Sequence, residues 1–276
     1  MIYFSCQSPT ECIFLVYPND VKCVLLAGGL GTRMREETEF RPKPMVLIGG
    51  KPILWHIMRT FALHDIKNFV VLTGYKSEVI REYFYDFAAI NMDFTVTLGE
   101  NPKFRKHGSM IEEGWQVTVT DTGQETMTGG RIFRARDHIG KETFMCTYGD
   151  GVADIDINKL LSFHKSHGKI ATMTSVKPVS RFGVTDISDS GQVERFHEKP
   201  QTESWVNAGY FVFEPEIFNY LDAECVLEQE PLNSLAKNGQ LMAYKHDGFW
   251  QPMDTYREST MLNQMWDEGK APWKKW

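Results

Sequence analysis

Short apolar runs alternate with helical patterns along residues 22–176, and this alternation limits the fold more than any other feature of the sequence. The apolar runs have the length and composition of buried parallel strands, and they span residues 22–27, 68–73, 144–148 and 171–176. Apolar residues recur at helical spacing in residues 52–59, 77–87, 131–139 and 157–167. This order predicts a Rossmann-like α/β fold, a mostly parallel sheet with helices on both faces.

Local signals refine this pattern. Pro52 is typical of the first turn of a helix, and Ser77 is a predicted N-cap. Further strands are predicted at residues 95–97 and 115–120, the latter with alternating polarity. After about residue 180 the predicted elements change character, with short strands at 184–187, 193–197 and 206–213 and helices at 215–221, 228–238 and 255–268. The change predicts a smaller mixed or antiparallel C-terminal part.

The first 20 residues differ from the rest of the chain. They lack strand or helix periodicity and end in a turn sequence, Pro-Asn-Asp, at residues 18–20. We therefore predict an N-terminal extension at residues 1–20 and a domain at residues 21–276, with a docked edge strand at 13–17 as the alternative. A length of 276 residues fits one large α/β domain as well as two small ones.

The charge balance excludes one broad class of partner. Lys and Arg number 30 against 36 Asp and Glu, which gives a formal charge of −6. Proteins that coat nucleic acid usually carry a basic surplus, so no nucleic-acid partner is expected. A small anionic substrate is compatible with this balance, because a few local cations suffice to bind it.

The sequence predicts a cytoplasmic protein without a membrane partner. The apolar run at residues 12–16 is too short to span a bilayer. The first basic residue is Lys22, so the start lacks the basic region of a secretion signal. Five cysteines without a Cys-x-x-Cys pair predict reduced thiols rather than disulfides or a zinc site.

The strongest motif follows the first predicted strand. It reads Leu26-Ala27-Gly28-Gly29-Leu30-Gly31-Thr32-Arg33, and Arg41-Pro42-Lys43-Pro44-Met45 comes soon after. Glycines at the carboxyl edge of a parallel sheet let backbone N–H groups approach an oxyanion closely. Because Arg33 and Lys43 add positive charge, we predict a polyphosphate-binding site.

Three other interpretations of this loop explain less of it. A dinucleotide fingerprint requires a glycine three positions after Gly31, which is absent here. A P-loop requires Gly-Lys-Ser/Thr at its end, whereas Arg33 follows Thr32. A tight turn with solvated basic residues explains the glycines but not the adjoining arginine and Pro-Lys-Pro sequence.

The loop and the Pro-Lys-Pro-Met sequence resemble the signature of the sugar-1-phosphate nucleotidylyltransferase family. Other segments resemble this family in the same order along the chain, and they lie at residues 48–58, 128–131, 148–154, 181–183, 198–200 and 248–255. The similarity covers about residues 21–276 and is strongest to members that transfer a cytidylyl group to glucose 1-phosphate. It implies a nucleotide-binding part at about 21–155 and a sugar-phosphate-binding and C-terminal part at about 156–276.

The resemblance implies a reaction and its cofactor. An oxygen of α-D-glucose 1-phosphate attacks the α-phosphorus of CTP, pyrophosphate leaves and CDP-glucose forms, with Mg²⁺ as the implied cofactor. Because the phosphate nucleophile is already ionised at neutral pH, catalysis needs positioning and charge stabilisation rather than a general base. The family also implies a homo-oligomer, either a hexamer or a tetramer, and a product used in deoxysugar and O-antigen (lipopolysaccharide) synthesis.

The resemblance also assigns roles to residues of this chain. The implied nucleotide-binding residues are Leu26, Ala27, Gly28, Gly29, Leu30, Gly31, Thr32, Arg33, Lys43, Thr126, Arg131 and Asp150. The implied sugar-phosphate-binding residues are Tyr148, Gly149, Glu198, Lys199 and Asn207. The implied metal ligands are Asp150 and Asp254, and the implied catalytic residues are Arg33, Lys43, Asp150 and Lys199.

Simpler interpretations of these residues stay open. Asp150 has the position of a turn residue beside glycine, Asp254 that of an N-cap, and Glu198-Lys199 that of a solvated pair at a hairpin end. A uridylyl- or thymidylyltransferase of the same fold is one functional alternative. An inactive nucleotide-sugar-sensing subunit is another, although a pure sensor has no need of metal ligands.

Three further features have two interpretations each. The C-terminal tryptophans, Trp266, Trp273 and Trp276, predict either a subunit interface or packing on the chain's own core. Residues 34–42 and 100–114 are polar stretches that predict either lids over the substrates or ordinary surface loops.

Overall fold

A seven-stranded sheet forms the centre of the fold. Its strands, from one edge to the other, are Leu241–His246 (β14), Ala171–Val176 (β10), Val206–Phe213 (β13), Phe144–Tyr148 (β8), Lys22–Leu26 (β1), Asn68–Thr73 (β4) and Gln116–Asp121 (β7). The computed structural model describes residues 21–180 and 182–276. The predictions for residues 1–20, including the edge strand at 13–17, and for Arg181 therefore lie outside the described residues.

Strand directions bring the ends of these strands to one edge. β1 is parallel to both neighbours, with Leu26 paired to Leu72 in β4 and to Tyr148 in β8. β4 and β7 are parallel, as are β10 and β14, whereas β13 is antiparallel to both β8 and β10. The carboxyl ends of six strands and the amino end of β13 therefore meet at the same edge. This arrangement confirms the predicted mostly parallel α/β fold.

Helices cover both faces of the sheet. They are Arg35–Thr38 (α1), Ile53–Ala62 (α2), Ser77–Tyr85 (α3), Phe87–Asn91 (α4), Thr128–Arg134 (α5), Arg136–Ile139 (α6), Ile157–His167 (α7), Glu230–Lys237 (α8) and Tyr256–Asp267 (α9), with 3₁₀ turns at Thr32–Met34, Lys43–Met45 and Pro215–Tyr220. Each face of the sheet has its own hydrophobic core, and successive residues of β1 point to opposite faces. Leu25 belongs to the core that includes residues of α2 and α7, and Val24 belongs to the core that includes residues of α5 and α8. No helix in the described ranges is long and apolar enough to cross a membrane.

Small antiparallel ribbons lie outside the main sheet. They pair Leu47–Ile48 (β2) with Lys51–Pro52 (β3), Phe94–Thr97 (β5) with Lys103–Lys106 (β6), Gly151–Ala153 (β9) with Trp250–Pro252 (β15), and Val184–Ile187 (β11) with Val193–His197 (β12). The β11–β12 ribbon is the predicted antiparallel addition. The predicted strand at 206–213, in contrast, is inserted into the main sheet as β13 between β10 and β8, which the sequence patterns did not predict.

The predicted N-cap at Ser77 is wrong. Lys76 occupies that position with a left-handed backbone, φ 49°, and Ser77 is the first helical residue. The hydroxyl of Ser77 instead shares a 2.7 Å hydrogen bond with that of Thr73 at the end of β4. The predicted helix at 77–87 also divides at Asp86 into α3 and α4.

The C-terminal tryptophans pack on the chain's own core around His56. The ring of His56 lies within 4.7–6.2 Å of the rings of Trp266, Trp273 and Trp276, measured between centroids. His56 is fully buried; its Nε2 lies 2.8 Å from the carbonyl oxygen of Ile48, and its Nδ1 lies 3.4 Å from Nε1 of Trp273. Because burial penalises the charged imidazolium, the pKa of His56 falls to about 4.

This buried histidine predicts a loss of stability in acid. With a folded pKa of about 4 against an unfolded value near 6.5, the unfolded chain binds the proton first. The free energy of unfolding therefore falls as the pH drops from ~6.5 to ~4, by about 3 kcal/mol from this residue alone. Urea denaturation of wild type and His56→Gln at pH 7 and pH 4.5 measures it.

We expect His56→Gln to remove this part of the pH dependence, whereas His138→Gln, at an exposed position, leaves it in place. The same pH dependence in wild type and His56→Gln would contradict the prediction.

Candidate active site

A pocket of about 350 Å³ opens at the carboxyl edge of the sheet, where β1 and β8 end. Its lining residues are Leu26, Ala27, Gly28, Gly29, Gly31, Thr32, Arg33, Lys43, Pro44, Thr126, Met127, Thr128, Arg131, Tyr148, Asp150 and Asp254. All the residues that the resemblance assigned to nucleotide binding are among them except Leu30. Pro44, Met127 and Thr128 also line the pocket, although none of them is among the assigned nucleotide-binding residues.

The glycine-rich loop owes its shape to its small residues. Gly31 has φ +62°, a left-handed conformation that disfavours other residues. A Cβ at Gly28 would lie 2.3 Å from the guanidinium carbon of Arg131, so glycine is needed for the loop to rest on this side chain. A Cβ at Gly29 would meet no atom within 4 Å, so the loop faces open space at that point.

Arg131 ties three strand ends together beneath the pocket. Its Nη2 donates to the carbonyls of Gly28, after β1, and Gln124, after β7, at 2.9 and 3.1 Å. Its Nη1 donates to the Thr73 carbonyl at the end of β4, at 3.0 Å, and to Thr122 Oγ1 and Gly123 O at 2.8 and 2.7 Å. The side chain is 96% buried, and burial lowers the pKa of Arg131. These bonds make Arg131 part of the framework of the site.

The loop after β7 supplies the other wall. The Thr126 hydroxyl donates to the Thr122 carbonyl at 2.6 Å, which holds the turn that leads into α5. Met127 is about half exposed at the pocket wall, and Thr128 begins α5. The implied nucleotide-binding residue Thr126 is therefore at the pocket, together with these two residues.

A network of opposite charges closes the front of the pocket. The ammonium of Lys43 lies 2.6 Å from Oδ2 of Asp150 and 2.6 Å from Oδ1 of Asp254. The guanidinium of Arg33 lies 2.9 Å from Oδ2 of Asp254. Burial alone would lower the pKa of Lys43, but the two carboxylates outweigh it and raise that pKa above its ordinary value. Lys43 is therefore a firmly charged cation.

The small β9–β15 ribbon places the two aspartates opposite each other. Asp150 immediately precedes β9, Asp254 follows β15 by two residues, and the Met253 amide donates to the Asp150 carbonyl at 2.8 Å. The N-cap interpretation of Asp254 is wrong, because Thr255 caps α9 through a capping box with Glu258. The carboxylate of Asp254 is thus directed at Lys43 and Arg33 instead.

The two aspartates fit a divalent cation. Their oxygens already converge on one cation, the ammonium of Lys43. In the described part of the chain, no group of three or more His, Cys, Asp or Glu side chains converges in a metal-binding arrangement. Proteins usually bind Mg²⁺ through one or two carboxylates, and phosphate oxygens of the substrate and water molecules complete the coordination. The site therefore suits a metal that arrives together with a nucleotide.

The residues assigned to the sugar phosphate are more dispersed. Tyr148 lines the pocket, and the Gly149 amide donates to the Leu26 carbonyl at 3.0 Å. Glu198 and Lys199 lie outside the pocket lining as an exposed pair whose charged atoms are 3.5 Å apart. Asn207, the second residue of β13, accepts a 2.8 Å bond from the Gly209 amide. The structure therefore brings Tyr148, but not Glu198 or Lys199, to the nucleotide pocket.

Comparison with known proteins identifies the family. The family model described as nucleotidyl transferase matches residues 22–252. The chain belongs to the nucleotidyl transferase family. A glucose-1-phosphate cytidylyltransferase of Salmonella typhi is 50% identical over 93% of this chain and 100% of its own length. A probable glucose-1-phosphate cytidylyltransferase of Bacillus subtilis is 43% identical, over 93% of this chain and 100% of its own length.

Solved structures support the fold. A UDP-glucose pyrophosphorylase complexed with UDP-glucose superposes with a TM-score of 0.65 at 18% identity, over 90% of this chain and 99% of the other. HddC from Yersinia pseudotuberculosis superposes with a TM-score of 0.65 at 22% identity, over 89% of this chain and 99% of the other. At these identities the likeness concerns the arrangement of the chain.

Arg131→Lys tests the framework role of this arginine. A lysine ammonium cannot reach carbonyls at the ends of three strands from one point, so several of the hydrogen bonds made by Arg131 are lost. We expect the free energy of unfolding to fall by about 2–4 kcal/mol, measured by urea denaturation. Arg136→Lys, on the exposed side of the neighbouring helix, is the matched control. Unchanged stability with lost nucleotide binding would mean that Arg131 acts by contacting the nucleotide.

Lys43→Met tests whether this lysine competes with a metal for the two carboxylates. Removing the ammonium leaves Asp150 and Asp254 with less compensating charge, so a divalent cation should bind more tightly in the absence of nucleotide. We expect the Kd for Mn²⁺, measured by electron paramagnetic resonance or calorimetry, to fall about tenfold. Lys141→Met, at an exposed site, should leave it unchanged. An unaltered Kd in Lys43→Met would contradict the competition.

Proposed function

We propose that the chain transfers a cytidylyl group from CTP to α-D-glucose 1-phosphate and releases pyrophosphate. The product is CDP-glucose, an activated sugar for deoxysugar and O-antigen synthesis. The observation that carries the proposal is the agreement between the charged pocket and full-length relatives named glucose-1-phosphate cytidylyltransferase. We also propose that the protein works in the cytoplasm.

The pocket fits a triphosphate by charge and by shape. The loop from Gly28 to Gly31 offers backbone N–H groups to phosphate oxygens, as glycine-rich turns at strand ends do. Arg33, whose side chain is 71% exposed, extends over the same opening. Lys43 supplies a buried ammonium beside it, and the two neighbouring carboxylates raise the pKa of this group. In this proposal these groups align the triphosphate and stabilise charge on the leaving pyrophosphate.

Asp150 and Asp254 would hold Mg²⁺ together with oxygens of the triphosphate. When bound, the metal supplies charge neutralisation and orients the phosphates. Binding it at this point requires Lys43 to leave the carboxylates that it now bridges. In its new position the same ammonium would contact the phosphates, in agreement with the role that the family resemblance implies. Because the metal would replace the ammonium of Lys43, the two carboxylates would face a positive charge both before and after metal binding.

The sugar phosphate is assigned to the neighbouring side of the pocket. Tyr148 and Gly149, at the end of β8, would contact it beside the nucleotide. Lys199 has a left-handed backbone, φ 48°, which is strained for a lysine and is typical of functional positions. We assign to it a grip on the sugar phosphate, and to Glu198 and Asn207 hydrogen bonds with sugar hydroxyls. We assign recognition of the cytosine base to the polar segment at residues 121–131, which contains Thr126.

The active form is proposed to be a homo-oligomer, a hexamer or a tetramer. Two ribbons carry large exposed apolar side chains, a property typical of interaction surfaces. They are Phe94 and Phe104 on β5–β6, and Val184, Ile187, Val193 and Phe196 on β11–β12. Burying them against other copies of the chain would remove this surface from water.

Pyrophosphate release with each of five nucleotides tests the proposal. Glucose 1-phosphate and Mg²⁺ are supplied with CTP, UTP, dTTP, ATP or GTP in separate reactions. We expect release with CTP and at least 100-fold slower release with the others, because a polar base site leaves mismatched groups unpaired. Faster release with UTP or dTTP would retain the reaction but contradict the cytidylyl assignment. CTP binding without release from any nucleotide would favour a sensing subunit.

A further inference from the structure

The carboxylate of Glu228 joins two residues that line the nucleotide pocket. Its Oε2 accepts a 2.7 Å hydrogen bond from the hydroxyl of Thr128, and its Oε1 accepts one from the hydroxyl of Tyr148. Glu228 lies 100 positions from Thr128 and 80 from Tyr148 along the chain. It is exposed and lies outside the pocket lining.

On the base side, the segment at residues 222–229 rests on the start of α5. The Thr128 hydroxyl oxygen also accepts from the Leu227 amide at 3.0 Å, and the Gly130 amide donates to the Cys225 carbonyl at 3.0 Å. A Cβ at Gly130 would lie 2.3 Å from the Ala223 carbonyl oxygen, so a glycine is required for this close approach. The orientation of α5, which carries Arg131, is thereby linked to this segment.

On the sugar side, Tyr148 is fixed by its ring and by its hydroxyl. A Cβ at Gly209, φ +78°, would lie 2.2 Å from the ring carbon Cδ2 of Tyr148, so the ring packs flush against this backbone. Asn207, two residues before Gly209, accepts from the Gly209 amide at 2.8 Å and so holds the same turn of backbone. The Tyr148 hydroxyl is directed at the carboxylate of Glu228 and donates to it.

We infer that Glu228 is a positioning residue that links the base side of the site to the sugar side. Side-chain hydrogen bonds join Thr128 to Glu228 and Glu228 to Tyr148. An ionised carboxylate suits this place because it offers two acceptor oxygens and no donor to two hydroxyl groups. Hydrogen bonds to an ionised acceptor are also about twice as strong as neutral ones.

The inference rests on the proposed function, because it assigns the sugar phosphate to the Tyr148 and Asn207 side of the pocket. Glu228 acts through Tyr148 and touches no substrate. Losing its carboxylate removes the acceptor of the Tyr148 hydroxyl, so the ring is held only by its packing on Gly209. The affinity for the sugar phosphate should therefore weaken more than the turnover of the bound complex.

Steady-state kinetics of Glu228→Ala and Glu228→Gln test this role. With CTP saturating, we expect the KM for glucose 1-phosphate to rise about tenfold in Glu228→Ala, with kcat within about twofold of wild type. Glu228→Gln keeps one acceptor oxygen and should restore part of this loss. Glu224→Gln is the matched control, because Glu224 lies on the same segment but pairs with Arg134 at 3.1 Å, away from Tyr148. It should behave as wild type.

A double variant shows whether Glu228 acts through Tyr148. If it does, Glu228→Ala combined with Tyr148→Phe raises the KM no further than Tyr148→Phe does. If the two substitutions instead raise the KM by factors that multiply in the double variant, the inference is overturned. A wild-type KM in Glu228→Ala would also overturn it. A Glu228→Ala protein that fails to fold in a thermal melt would also overturn it, because Glu228 would then support the fold rather than the site. Wild type that releases no pyrophosphate would instead be a failure of the proposed function.

Discussion

The buried guanidinium of Arg131 is the interaction on which the site depends. Three neighbouring strands end at this edge, and Arg131 donates at once to carbonyls at or just after the ends of β1, β4 and β7. The guanidinium adds to the backbone donors at this edge, because the Gly28 and Thr73 carbonyls also accept from the amides of Tyr75 and Thr122. The glycine-rich loop can then lie close to the sheet, because Gly28 has no side chain to displace the guanidinium.

Much of this architecture was predictable from local pattern. Apolar runs of strand length separated by helical spacing gave β1, β4, β8, β10 and α7, because each element buries a regular face. The position of β13 within the main sheet was not predictable in this way. Its alternation indicates a strand, but which strands it pairs with depends on contacts between residues far apart in the chain, such as Tyr210 with Thr147.

The candidate site was likewise predictable only in part from the sequence. Lys43, Asp150 and Asp254 were each singled out by short motifs, yet their meeting depends on the β9–β15 ribbon, which is too short to leave a periodic signal. Glu228 has no motif at all. It reaches Thr128 and Tyr148 because a loop before α8 crosses the start of α5, a tertiary contact permitted by Gly129 and Gly130. Conversely, Ser77 carried a local capping signal that its hydrogen bond to Thr73 overrode.

The ion-pair network at the pocket mouth has a consequence for how the protein meets its ligands. Lys43 and Arg33 are balanced by Asp150 and Asp254, so the resting mouth is close to electrically neutral. A neutral pocket opening exerts little long-range attraction on anions. The rate at which anionic ligands associate should therefore depend only weakly on ionic strength. Free phosphate, abundant in any cell, would then compete poorly for the same opening. The pocket should instead favour ligands that arrive with their own counter-ions and rearrange these ion pairs when they bind.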